Sequence, residues 1–158
     1  MNIFFITDKG EFAMKNLDSV NQYIANLAML NIKTHNFHFN IVGAGFKNIH
    51  EYLESIYNTY FDYYDAVAEL VKMQGQMPTV SVADYLKITA IKEVPAKEYP
   101  IAEALEEVRK DMEIMRDAAV AIRKSADEED NFLLANMMED HLAYYAKQLW
   151  FIKATLAK

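Results

Sequence analysis

His35-Asn36-Phe37-His38-Phe39-Asn40, then His50-Glu51-Tyr52-Leu53-Glu54, then Asp65-Ala66-Val67-Ala68-Glu69, form the stretch whose reading decides the fold. Three of the four histidines in the chain fall in it. Gly43 and Gly45 interrupt it where two helices would reverse into a hairpin. His50 and Glu54 are spaced i, i+4, and so are Asp65 and Glu69, so each pair shares one face of a helix.

On a helical wheel the second segment has two stripes. Ile49, Leu53, Ile56, Tyr60, Tyr63, Val67 and Leu70 form one, the expected bundle core. His50, Glu54, Asp65 and Glu69 form the other, with Tyr57 and Phe61 between them. Aromatic residues in the middle of a polar stripe argue against a simply solvated face, because a helix apolar on two sides is normally covered on both. His50 and Asp65 lie about 22 Å apart along the helix, too far for one ion. An antiparallel copy of the helix, crossing near Tyr57 and Phe61 on a two-fold axis, would bring His50 of one chain beside Asp65 and Glu69 of another, twice per interface. His38, late in the first helix, is placed to approach His50. Imidazole and carboxylate without thiolate suit Fe(II), with Zn(II) and Mn(II) as competitors. The segment His50 to Glu54 begins like a zincin helix but ends in Glu rather than His, which removes that reading. No Glu-x-x-His core motif, phosphate-cradling glycine loop or nucleophile triad is apparent.

Outward from this stretch, the first helix is expected from about Asn16–Asp18 to Ile41, with Val20, Ile24, Leu27, Asn31, Thr34 and His38 on one face. The second should run from Phe46 to Gln74. The connection from Gly75 to Pro100 is long for a bundle and should hold structure of its own: a short helix from Val82, with Ser81 as N-cap, then an extended run between Pro95 and Pro100. A third long helix carries Ile101, Leu105, Val108, Met112, Met115, Ala119 and Ile122 in a regular seam. The acidic run Asp127-Glu128-Glu129-Asp130 is expected to start the fourth, which carries Leu134, Met138, His141, Tyr145, Leu149 and Ile152. The fold class is therefore all-α: a four-helix bundle over residues 16–158, preceded by an arm of residues 1–15 with an apolar plug at Ile3 to Ile6. The long connection lets the third helix run parallel to the second.

The chain's 158 residues make one domain, and few glycines and prolines suit helices. It has no cysteine, so neither a disulfide framework nor a thiolate metal site is expected, in keeping with a cytoplasmic protein. No signal peptide or membrane span is apparent. A net charge of −7 disfavours nucleic acid and favours cations.

Taken together, His35-x-x-His38, Gly43-x-Gly45-Phe46, His50-x-x-x-Glu54, Asp65-x-x-x-Glu69 and Gly75-x-x-Pro78 before a short helix resemble the Dps-type miniferritins of the ferritin-like superfamily. The likeness runs from about Asn16 to the end. It implies a dodecameric shell with ferroxidase sites at its two-fold interfaces, where His38 and His50 of one subunit meet Asp65 and Glu69 of another and Glu54 adds a further acid. It further implies that Fe(II) is oxidised, by hydrogen peroxide in preference to oxygen, and stored as ferric mineral, which protects against oxidative stress. Zn(II) would be an adventitious occupant. The alternative is a nucleoid DNA-binding shell with a secondary metal site; the charge and the scarcity of basic residues at the termini make DNA binding weak or absent.

The family usually has Trp after the second histidine, where this chain has Phe39, and Tyr57 or Tyr52 is the expected substitute in taking up oxidising equivalents. His35 reads as a supporting residue and His141 as a hydrogen-bonded core histidine. The nine methionines read as core filler, Trp150 as a packing anchor, and Asp127 to Asp130 either as part of a cation pore or as a solvated helix start.

Overall fold

The structure, a computed structural model, describes residues 14–157. The arm up to Ala13, including the apolar plug, lies outside the described residues. Four long helices make the bundle: α1 (Leu17–Asn40), α2 (Phe46–Met73), α4 (Ile101–Glu128) and α5 (Phe132–Leu156). The short α3 (Val82–Ile88) sits in the long connection, as expected. Cross-links fix the directions. Asn31 and His38 of α1 meet Tyr57 and His50 of α2, while Tyr52, Tyr63 and Gln74 of α2 meet Gln148, His141 and Asn131 in or beside α5. Both pairs of helices are antiparallel, and α2 and α4 run the same way.

The heptad-like spacing explains the packing. Leu105, Val108, Met112, Met115, Ala119 and Ile122 of α4 are all buried, as are Leu53, Ile56, Tyr60, Val67 and Leu70 of α2. Each large apolar side chain so buried contributes about 1.5–3 kcal/mol. One ion pair is buried with them: Lys33 Nζ is 2.7 Å from Asp111, and burial raises the pKa of that carboxyl. The pairing joins α1 to α4, and no local pattern announces it.

The long connection is held by amide side chains of α1. Asn21 accepts from the Thr79 N–H, Gln22 donates to the Ile88 carbonyl, buried Asn26 accepts from Thr89 and Ala90, and Asn36 donates to the Val94 and Pro95 carbonyls. An irregular segment must satisfy its backbone somewhere, and here one helix face supplies the partners. The end of the connection is stapled to the α1–α2 turn by two short parallel strands, β1 (Ile41–Val42) and β2 (Tyr99–Pro100). Gly43 and Gly45 then take positive φ, 123° and 85°, to reverse the chain into α2.

Three expectations are corrected. The acidic run does not start a helix: Asp127 and Glu128 end α4, and α5 begins at Phe132. Arg123 pairs with Asp127, so a side-chain cation offsets the unfavourable acid at that C-terminus. Asn131 is the cap instead, its side chain accepting from the Leu134 N–H. Trp150 is not buried in the core; it is 65% exposed, and among the described residues its ring meets that of its neighbour Phe151. The methionines divide, with Met112, Met115 and Met138 in the core and Met73 and Met77 exposed. Ser81 occupies the N-cap position of α3, but its backbone carbonyl rather than its side chain takes the bonds, from Asp84 and Tyr85.

Candidate metal half-sites

Helix α1 ends and α2 begins so that His38 and His50 face each other. Their rings stack at 3.6 Å between centroids, inclined by 21°. Nδ1 of His38 lies 2.9 Å from the His50 carbonyl, and Nδ1 of His50 lies 2.8 Å from the His38 carbonyl. A carbonyl only accepts, so both Nδ1 atoms carry the proton. Both rings are thereby fixed in the tautomer whose lone pair is on Nε2, the arrangement by which a backbone carbonyl orients a metal-binding imidazole. His38 is buried and His50 half-buried.

His35 is in the same tautomer by the same logic, donating Nδ1–H to the Asn31 carbonyl one turn earlier. Its ring stacks on Tyr57 at 3.7 Å, and Tyr57 stands edge-on to His38 at 5.1 Å. Of the two tyrosines expected near the histidines, Tyr57 is there. Tyr52 is not; its hydroxyl donates across the bundle to Gln148. His141 is a core histidine, as expected, against Tyr63 and Tyr23.

The acids are elsewhere. Glu54, Asp65 and Glu69 are all exposed on the outer face of α2. None of them forms an ion pair among the described residues, although eleven such contacts exist. Nor do any three His, Asp or Glu among the described residues gather to hold an ion. One chain thus carries two separated groups of candidate ligands: paired imidazoles where α1 ends and α2 begins, and a carboxylate pair about three-quarters of the way along α2. Between and around them lie large apolar side chains that a lone subunit leaves open, Phe61 at 61% and Phe39 at 68% exposure among them. A groove lined by Ala68, Glu69, Lys72, Met73 and Pro78 adjoins the acidic half.

The fold has counterparts. The model of the ferritin-like domain matches residues 17–158. Antigen TpF1 of Treponema pallidum is 32% identical over 88% of this chain and 78% of its own length. Its crystal structure superposes with a TM-score of 0.90, at 29% identity, covering 97% of this chain and 98% of that one. The DNA protection during starvation protein of Brevibacillus brevis is 33% identical over 87% of this chain and 91% of its own length. A crystal structure of a Dps protein from Bacillus brevis gives a TM-score of 0.88 at 30% identity, covering 95% and 100% of the two chains. The chain belongs to the Dps-type miniferritins of the ferritin-like family. The extra short helix α3 in the long connection fits that fold. What sequence reading missed are the amide tethers of α1 and the Lys33–Asp111 pair, both of which depend on residues far apart in the chain.

Proposed function

We propose that the protein is a ferroxidase and iron-storage shell. Two copies pack α2 against α2 about a two-fold axis near Tyr57 and Phe61, and each interface makes two sites. His38 and His50 of one subunit bind Fe(II) together with Asp65 and Glu69 of the other, and Glu54 adds a nearby acid. The proposal includes closure of twelve subunits into a shell of tetrahedral symmetry, hydrogen peroxide as the preferred oxidant over oxygen, a cytoplasmic location and a role against oxidative stress, and kinship with the family supports these. No helix among the described residues is long and apolar enough to cross a membrane.

The observation that carries this reading is the reciprocal His38–His50 bonding. It holds two imidazoles with Nε2 lone pairs free, while the carboxylates that would complete a site begin with Asp65 about 22 Å further along the helix and form no ion pair among the described residues. The chemistry divides accordingly. Neutral imidazoles suit Fe(II), and carboxylates favour the more highly charged Fe(III) product. Each Fe(II) gives one electron, and a peroxide takes two, so peroxide consumed at paired irons leaves as water. Zn(II) fits the same donors and would compete.

A second reading, a DNA-binding shell, has the names of relatives in its favour: those from Brevibacillus brevis and Helicobacter pylori are called DNA protection during starvation proteins. A net charge of −7 weighs against strong phosphate binding, and removal of iron and peroxide protects DNA without contact.

Anaerobic Fe(II) titration of the assembled protein, followed by peroxide, tests the first reading. Wild type should oxidise iron rapidly and Asp65→Ala should do so at least roughly 10- to 100-fold more slowly. Equal rates in the two proteins would remove Asp65 from the site.

A further inference from the structure

The core holds three polar groups for which iron binding has no use. Tyr23 on α1, and His141 and Tyr145 one turn apart on α5, are each no more than 2% exposed. The Tyr23 hydroxyl lies 3.0 Å from His141 Nδ1 and 2.8 Å from the Tyr145 hydroxyl. Counting hydroxyl protons favours one order of these bonds. If His141 donated from Nδ1 to Tyr23, Tyr23 would donate to Tyr145, and the Tyr145 proton would have no acceptor among the described residues. If instead Tyr145 donates to Tyr23 and Tyr23 donates to Nδ1, both hydroxyl protons are used and the imidazole proton sits on Nε2. The second arrangement puts the lone pair of a neutral imidazole on the Tyr23 proton. Burial holds the His141 pKa down at about 4, which keeps that lone pair free at neutral pH.

Other tyrosines lack such an acceptor. Tyr52 donates to the Gln148 amide oxygen, Tyr85 to the Thr79 carbonyl, Tyr99 to the Pro95 carbonyl and Tyr64 to the Tyr85 hydroxyl. Among the described residues the buried Tyr60 hydroxyl has no partner, and the Tyr144 hydroxyl has beside it only the Thr59 side chain, which is no base. An oxidised phenol is a far stronger acid than an imidazolium, so even a buried imidazole of low pKa takes its proton, and it does so far better than an amide or phenol oxygen. A phenol yields an electron readily only if its proton has somewhere to go at the same moment. Among the described tyrosines, Tyr23 alone has a base in place for it.

The group is also connected to the acidic half-site. The Tyr63 ring lies face to face with His141 at 3.5 Å, inclined by 9°. Tyr63 precedes Asp65 by two positions on α2, about 3 Å along the axis, and faces inward where Asp65 faces out. Tyr63 and Asp65 thus stand on opposite faces of α2, roughly one helix diameter or about 10 Å apart, and His141 and Tyr23 lie beyond Tyr63.

We propose that Tyr23 is a redox-active tyrosine, oxidised to a neutral phenoxyl radical while His141 Nδ1 takes its proton. This rests on the ferroxidase reading, and the oxidant comes from its incomplete turnover: where a site holds a single Fe(II) instead of a pair, that ion passes one electron to hydrogen peroxide and forms hydroxide and a hydroxyl radical. The Tyr23 electron reduces that radical to hydroxide. The Tyr23 O–H bond breaks and an N–H bond forms on His141, leaving an imidazolium beside a phenoxyl oxygen that still accepts from Tyr145. A later Fe(II) returns the electron and becomes Fe(III), and the proton goes back from His141 to Tyr23.

The test is electron paramagnetic resonance of Fe(II)-loaded protein frozen after peroxide addition, with iron oxidation followed optically in parallel. Wild type should give a tyrosyl radical whose g-tensor shows a hydrogen-bonded phenoxyl oxygen. Tyr23→Phe should lose the signal while oxidising iron as fast as wild type, and His141→Gln should weaken it. Tyr57→Phe should keep it. A radical that persists in Tyr23→Phe overturns the proposal, and so does one lost in Tyr57→Phe. Should neither core variant fold, a wild-type radical without hydrogen bonding overturns it, as does iron oxidation in wild type with no radical at all. Absence of iron oxidation in wild type would instead sink the proposed function, and the source of the oxidant with it.

Discussion

His50 and His141 are the same side chain put to opposite uses, and the difference lies in a single partner atom. Nδ1 of His50 faces a backbone carbonyl, which forces the proton onto Nδ1 and leaves Nε2 as the basic nitrogen. Nδ1 of His141 faces a phenol whose own proton needs an acceptor, so there Nδ1 is the basic nitrogen. The first points chemistry toward a bound cation, the second toward a proton inside the core. A histidine near carboxylates is therefore a ligand candidate only when its other nitrogen is already committed to a carbonyl or a carboxylate.

The largest effect that would break this contrast concerns the shared site. His50→Ala and Asp65→Ala should each abolish rapid iron oxidation as pure assemblies. Co-expressed as mixed shells, the two should recover activity. A mixed pair has one site with both defects and one with neither, so about a quarter of all sites would be intact under random pairing. Stopped-flow oxidation of purified mixed shells reads this directly. No recovery would mean that both residues serve a site within one chain, against the 15 positions of helix between them.

Next in size is an effect of pH confined to the core histidine. The unfolded chain protonates His141 near the ordinary 6.5, while the folded chain keeps it neutral down to about 4. Between those values only the unfolded state binds the proton. Stability contributed by neutral His141 is whole above pH 6.5 and declines as pH falls toward 4, by up to about 3 kcal/mol. Denaturant unfolding of wild type and His141→Gln at several pH values in that window should show a steeper fall for wild type. Parallel curves would mean that the imidazole is not kept neutral by burial, and the proton order argued for Tyr23 would lose its support.

How much of this was legible beforehand differs between the same two regions. The helical seams were, because a period of three and four residues is local; so were the paired acids and the distance argument that separates them from His50. The Tyr23–His141–Tyr145 bonds were not, since Tyr23 is 118 positions from His141 and only the bundle brings α1 against α5. Lys33 and Asp111, 78 positions apart, were hidden for the same reason. The acidic run at Asp127 misled because charge near a helix end is a weak effect of about 0.3–1 kcal/mol. It was outweighed by a competing cap: Asn131 accepts from the Leu134 N–H while exchanging amide bonds with Gln74 at the end of α2. Trp150 was misjudged by type, since size alone does not say whether a neighbour exists within the same chain.

The smallest effect separates having the right tautomer from being a ligand. His35 shares the Nδ1–H tautomer of His38 and His50, but its carbonyl partner is Asn31 in its own helix, and its ring is occupied by stacking on Tyr57. Replacing it by leucine removes one hydrogen bond and the stack on Tyr57, each worth about 0.5–1.5 kcal/mol, along with looser ring contacts to His38 and Phe39. Iron oxidation should continue in His35→Leu, because the reciprocal bonds between His38 and His50 do not pass through it. Loss of oxidation on the scale of His50→Ala would make His35 a third imidazole ligand. The interlocking of His38 with His50 would then no longer be what distinguishes the site from an ordinary helical histidine.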